Sequence, residues 1–130
     1  IMKKATSVSL MIALSLYANF AFANDACLLE TSATMMGIKL DIKDCLQNEG
    51  LPENEFKTQC EGISQAAVSM GGPAAKITYL TNCPTPFQAR CDVANASKTI
   101  FFYYKRSPDE AAGLKSSCEL MEGVYSKGSF

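Results

Sequence analysis

The sequence predicts an α+β domain: an N-terminal helical hairpin followed by a small antiparallel sheet with one C-terminal helix packed on it, stabilised by disulfides. Three observations predict it. Apolar residues recur at helical spacing through the first half, they alternate two by two in the second, and six cysteines are spread along the chain.

The opening stretch, IMKKATSVSLMIALSLYANFAFAND, reads as a leader rather than as part of the fold. Lys3 and Lys4 give a positive start, an apolar run follows from Ala5 to Ala18, and Ala21-Phe22-Ala23 offers small residues where a signal peptidase reads them. Residues 1–23 are expected to be a signal peptide and 24–130 a single small cysteine-rich domain, helical over 24–72 and strand-rich over 73–130. The apolar run is shorter than the roughly 18 to 20 residues that cross a bilayer, so no membrane span is expected after cleavage. An exported chain with an even number of cysteines is expected to close them into bridges, in the periplasm or outside the cell.

Helical spacing first shows at Ile38, Ile42, Cys45 and Leu46, with Asp41 as a possible cap and Gly50 as the stop. Pro52 suits the first turn of a second helix, with Glu53 and Glu55 near its positive end. Phe56, Cys60, Ile63, Ala67 and Met70 make its apolar stripe, which ends at Gly71-Gly72-Pro73. A short turn between the two helices implies antiparallel packing. Cys45 and Cys60, at similar distances from that turn, are the expected first bridge.

After residue 73 the period changes. KITYLT, residues 76–81, is rich in strand formers, and Phe87, Ala89, Cys91 and Val93 alternate with Gln88, Arg90 and Asp92. Residues 95–98 have the length of a hairpin connection. Ser107, Pro108 and Glu110 then form a capping box, opening a helix with Ala111, Leu114, Cys118 and Met121 on one face and its end at Gly123. Residues 124–126 suit a last short strand. Cys91 and Cys118 both face inward, which pairs them, and Cys27 with Cys83 follows by elimination.

The segment TIFFYYKR, residues 99–106, places four aromatic residues in a row. On a strand, Ile100, Phe102 and Tyr104 share one side while Phe101, Tyr103 and Lys105 share the other. Both sides are apolar, so the strand is expected in the core, with the C-terminal helix on one face and the N-terminal helices on the other. Its end, Tyr103, Tyr104, Lys105 and Arg106, is the candidate binding patch: aromatic rings and a basic rim suit contact with a glycan or a protein.

Composition narrows the chemistry. The chain has no histidine, which removes the common acyl-transfer triad and histidine zinc sites. No cysteines have C-x-x-C spacing. Without Lys3 and Lys4 the chain carries ten basic and thirteen acidic side chains, a formal charge of −3 that does not suit a nucleic-acid binder. The carboxylate pairs Asp41 with Asp44, Glu53 with Glu55, Asp109 with Glu110 and Glu119 with Glu122 sit where helix caps and solvated faces need acids. Met35-Met36 reads as core filler rather than a soft-metal site, and no cofactor is expected. The expectation is a non-enzymatic exported module that binds a protein or cell-envelope component. The alternative is a secreted inhibitor or effector of a hydrolase, reaching its target with Arg90 from the proline-stiffened loop 82–90.

Overall fold

The computed structural model describes residues 25–129, and the expected leader lies outside the described residues. Ala26–Met35 and Ile38–Asn48 form strands β1 and β2, paired antiparallel from Met35 opposite Ile38 to Ala26 opposite Gln47. The N-terminal helical hairpin is therefore replaced by a β-hairpin. Ile38, Leu40 and Ile42 alternate with Lys39, Asp41 and Lys43, so the stretch that satisfies helical spacing satisfies strand spacing too. A partner strand of matching length, Ala26–Met35, decides between them. The turn is Met36-Gly37, with φ of 53° and 79°, the left-handed pair of a type I′ turn.

The remaining elements are helix α1 (Glu53–Ser69), strand β3 (Lys76–Leu80), strand β4 (Ala89–Asp92), the short helix α2 (Ala94–Ser97), strand β5 (Thr99–Tyr103), helix α3 (Pro108–Leu120) and strand β6 (Val124–Lys127). All the strands join one antiparallel sheet in the order β3-β1-β2-β5-β4-β6. The fold is α+β as expected in class, but the sheet dominates it. Ser107 caps α3, its Oγ accepting from the Glu110 amide at 3.2 Å. Glu110 does not return the bond; its carboxylate goes to Arg106 instead.

Both long helices lie on the same face of the sheet. On it, α1 packs Phe56 and Cys60 against Cys27, Leu29 and Leu46, while α3 packs Leu114 and Cys118 against Ala89, Cys91 and Tyr103. Phe101 touches both clusters. The opposite face holds Leu28, Cys45, Ile100 and Phe102, and segment 81–88 covers it, not a helix. There Phe87 meets Phe102 edge to face at 5.0 Å, and the Tyr104 hydroxyl donates to the Pro84 carbonyl at 2.8 Å. The aromatic strand is core on both sides, with different covers from those the sequence suggests.

The bridges follow from this alternation. Cys27 is joined to Cys60, Cys45 to Cys83, and Cys91 to Cys118. Cys45–Cys60 and Cys27–Cys83 are thus corrected. On a strand, Cys45 and Leu46 point to opposite faces; Leu46 meets α1, and Cys45 turns away toward the segment that carries Cys83. Three closed bridges are consistent with an oxidising setting, extracellular or periplasmic. Among the described residues, no helix is long and apolar enough to cross a membrane.

Helix α3 ends in an unusual way. Glu122, not Gly123, takes the left-handed conformation, with φ of 61°. Gly123 is required for space: a Cβ there would stand 2.6 Å from Cys91 Sγ, 2.7 Å from Val93 Cγ1 and 2.8 Å from Cys118 Sγ. Gly123→Ala is expected to cost about 2 kcal/mol by overpacking, read as a lower urea midpoint at unchanged slope. A midpoint equal to wild type would show that the strand moves away without penalty.

Candidate functional site

Helix α1 and the β1–β2 hairpin do not close completely. Between them runs a groove of about 240 Å³, with Leu29 and Ile42 on the sheet side and Ile63, Ala67 and Met70 on the helix side. Its charged lining is Asp44 and Arg106. Asp44 reaches it because odd and even residues of β2 face opposite ways, which puts Asp44 with Ile42 and Leu46 on the helix face. Arg106 follows the bend after β5 and swings back onto that face.

Arg106 is shared. Its Nη2 donates to Asp44 Oδ2 at 2.5 Å and its Nη1 to Glu110 Oε2 at 3.3 Å, while its guanidinium carbon lies 5.2 Å from the centre of the Tyr103 ring. The Asp44 and Arg106 side chains are 16% and 23% exposed, which makes this a largely desolvated pair. Asp44 Oδ1 and Arg106 Nε are both buried without a hydrogen-bond partner among the described residues. Burial raises the Asp44 carboxyl above its ordinary range, Arg106 pulls the other way by charge and hydrogen bond, and Glu110 adds to the rise. The net direction is upward, so one guanidinium does not repay the desolvation of this carboxylate.

The four residues of the expected patch are not brought to one surface. Tyr103 is buried beneath Arg106 on the helix face. Tyr104 is half-buried on the other face, with Lys43 Nζ 5.5 Å from its ring centre. Lys105 is exposed and borders a shallow cleft with Lys43, Lys76, Glu30 and Asp41. Arg106 alone of the four lines the groove. Neither the groove nor the Asp44–Arg106–Glu110 cluster was legible beforehand: Asp44 and Arg106 are 62 residues apart, and Asp44 reads as a solvated helix acid.

Other candidates are placed differently. Asp41 and Asp44 project from opposite faces of β2 and form no catalytic pair. Met36 is a fully exposed turn residue. Segment 82–88 is held down by the Cys45–Cys83 bridge, and Arg90 lies on β4 over the Phe102 ring at 5.6 Å, paired with Asp92 at 3.3 Å. Among the described residues, no three His, Cys, Asp or Glu side chains stand together as a metal site would require.

A scan against protein-family models, a search of curated proteins and a search of solved structures found no match to the chain.

Tyr104 supplies a check on this geometry. Burial first, then the Asp44 charge, push its phenol up to about 12. A phenol whose folded pKa is raised binds its proton more tightly folded than unfolded. Its contribution to stability is complete below the ordinary tyrosine value near 10 and is lost as pH rises toward 12. Spectrophotometric titration is expected to show a late-ionising tyrosine in wild type that is missing in Tyr104→Phe. Loss instead of a tyrosine that ionises near the ordinary value of 10 would place Tyr104 in solvent.

Proposed function

We propose that this chain is a small exported binding module, acting in the periplasm or outside the cell without catalysing a reaction, and that it holds a protein or envelope component in the groove between α1 and the β1–β2 hairpin. The groove itself supports this most. It offers an open apolar trough beside an incompletely paired ion pair, on a support cross-linked on both sheet faces. Met70, on its helix wall, is 61% exposed, and Ile38, on the same face of β2 as Ile42, is 63% exposed. Apolar side chains left open beside a desolvated polar group are the usual make-up of a contact site. A binding rather than catalytic role is supported by the absence of histidine from the sequence and by six bridged cysteines, which leave no thiol nucleophile.

Ala67→Phe fills the groove from the helix side and tests the reading. Wild-type protein carrying a photo-crosslinker at Ala66 is expected to trap an envelope component, and Ala67→Phe to abolish the adduct with the urea midpoint unchanged. An adduct that survives the substitution would move the contact off the groove.

A further inference from the structure

We propose that the tip of the β1–β2 hairpin pairs with the same segment of a second copy of this chain, residues 38–42 antiparallel to themselves, so that one sheet runs through both copies. This contact is separate from the groove and does not depend on what fills it. The backbone comes first. β5 pairs with β2 only from Asn48 to Asp44, and the Tyr104 amide closes that ladder on the Lys43 carbonyl at 3.1 Å. That bond fixes the phase: Lys43, and with it Asp41 and Lys39, turn their backbone groups away from β1. Past the end of β5 no backbone partner among the described residues meets Asp41 or Lys39, and both residues are exposed. The other edge of the hairpin is covered, with Gly72 against Ala33 and Thr31 Oγ1 donating to the Pro73 carbonyl at 3.5 Å. An open row of N–H and C=O groups on an exposed strand is a template for another strand.

Charge selects the occupant and the register. Paired about Leu40, Lys39 of each copy lies opposite Asp41 of the other, Ile38 lies opposite Ile42, and the two Leu40 side chains meet on the axis. Lys39 and Asp41 have no ion-pair partner among the described residues, and Ser32 Oγ holds Asp41 Oδ1 at 2.7 Å on the face that Lys39 shares. A slip of two residues either way sets Lys39 against Lys39 or Asp41 against Asp41, and like charges directly opposite repel. Lysine on an open edge ordinarily keeps a second strand away; Asp41 removes that protection in one register alone. The outer strands of the sheet, KITYL in β3 and VYSK in β6, carry a lysine and no acid, so a second copy meets no opposite charge there. The apolar side gains as well, since Ile38, 63% exposed, is covered by Ile42 of the other copy.

The test is sedimentation equilibrium on the protein with its bridges closed, up to about 1 mM, a range that reaches weak and small interfaces. A concentration-dependent dimer is expected. Lys39→Asp and Asp41→Lys are each expected to weaken it about tenfold, because each turns both opposite-charge pairs into like-charge pairs. Lys39→Asp and Asp41→Lys combined in one chain are expected to restore the dimer, which also shows that the hairpin still folds. The two single variants, mixed, are expected to pair with each other. Leu40→Cys, on the axis at a closely spaced pair, is expected to close a disulfide between copies in air, whereas Ile38→Cys is not. A monomer at every concentration would overturn the proposal. A dimer that both charge variants leave unchanged, or that Leu40→Cys fails to lock, would overturn it too, because the contact then lies elsewhere.

Discussion

Arg106→Met is expected to lower the unfolding free energy by about 3 kcal/mol at neutral pH, which in a domain of this size is a drop of roughly 10–20 °C in Tm. The loss comes from what is left behind. Removing the guanidinium strands the Asp44 carboxylate, 16% exposed, with Leu29 and Ile42 beside it and Oδ1 already unpaired. The full cost of breaking a buried pair, about 3–5 kcal/mol, is taken at its low end because both side chains retain some solvent. Asp44→Leu combined with Arg106→Met is expected within about 1 kcal/mol of wild type, since apolar replacement of both partners removes the stranded charge.

A pH series separates this account from lost packing. In wild type the folded-state pKa of Asp44 is already raised, so the stability it contributes is complete at acid pH and is lost as pH rises through the folded value. Without Arg106 the folded pKa rises further, and the variant recovers stability as pH falls through that higher range. The gap between wild type and Arg106→Met is therefore expected to narrow on acidification. A gap that stays constant with pH would mean that Arg106 acts through its contact with the Tyr103 ring and not through Asp44.

Local signals were readable in the sequence where they admit one interpretation. Pro52 followed by two glutamates starts α1, and Ser107-Pro108 with Glu110 starts α3, because proline and acids suit the first turn of a helix and Ser107 caps the amide of Glu110. β4 and β5 were visible as alternation and as an aromatic run. The first half failed at Ile38–Leu46, where two periods fit the same residues. The hairpin turn gave no warning, since Met36 occupies a left-handed position that asparagine or glycine ordinarily marks. One error then produced the next: with Cys45 placed on a helix it pairs naturally with Cys60, whereas on a strand it faces the wrong way.

The site was less legible than the fold for a related reason. Burial of Asp44 depends on which face of β2 it occupies, and one residue of phase error moves it to solvent. Arg106 was singled out for its position after the aromatic strand, which is a valid local reason, yet its partner comes from a strand distant in sequence. The groove depends on how far α1 stands from the hairpin. That spacing is set by Cys27–Cys60, Phe56 and Ser64, whose Oγ donates to the Ala75 carbonyl at 2.5 Å, and no single segment encodes it.

Cys45→Ala with Cys83→Ala is expected to cost about 4 kcal/mol, the chain-entropy value for a bridge with a sequence separation of 38. What sets this bridge apart is where the damage falls. Cys27–Cys60 and Cys91–Cys118 each tie the sheet to a helix that also packs against it. Cys45–Cys83 ties the sheet to segment 81–88, which has no regular structure. Thr81 and Gln88 pin its ends by hydrogen bonds to Gln47, Tyr103, Arg106 and Gly128. Its middle, 82–87, is otherwise held by Phe87 on Phe102, the Tyr104–Pro84 hydrogen bond and Gln47 Oε1 accepting from the Cys83 amide at 2.9 Å. Each hydrogen bond of that kind is worth about 1 kcal/mol, too little to hold the segment once the tether is gone. Release of the segment exposes Leu28, Ile100 and Phe102 on the face that no helix covers. Amide exchange is therefore expected to accelerate in 82–87 at denaturant concentrations where β1, β2 and β5 remain protected, with new binding of an apolar dye. Uniform loss of protection across sheet and segment would instead show that the two faces unfold as one unit, with the bridge acting only through the unfolded chain.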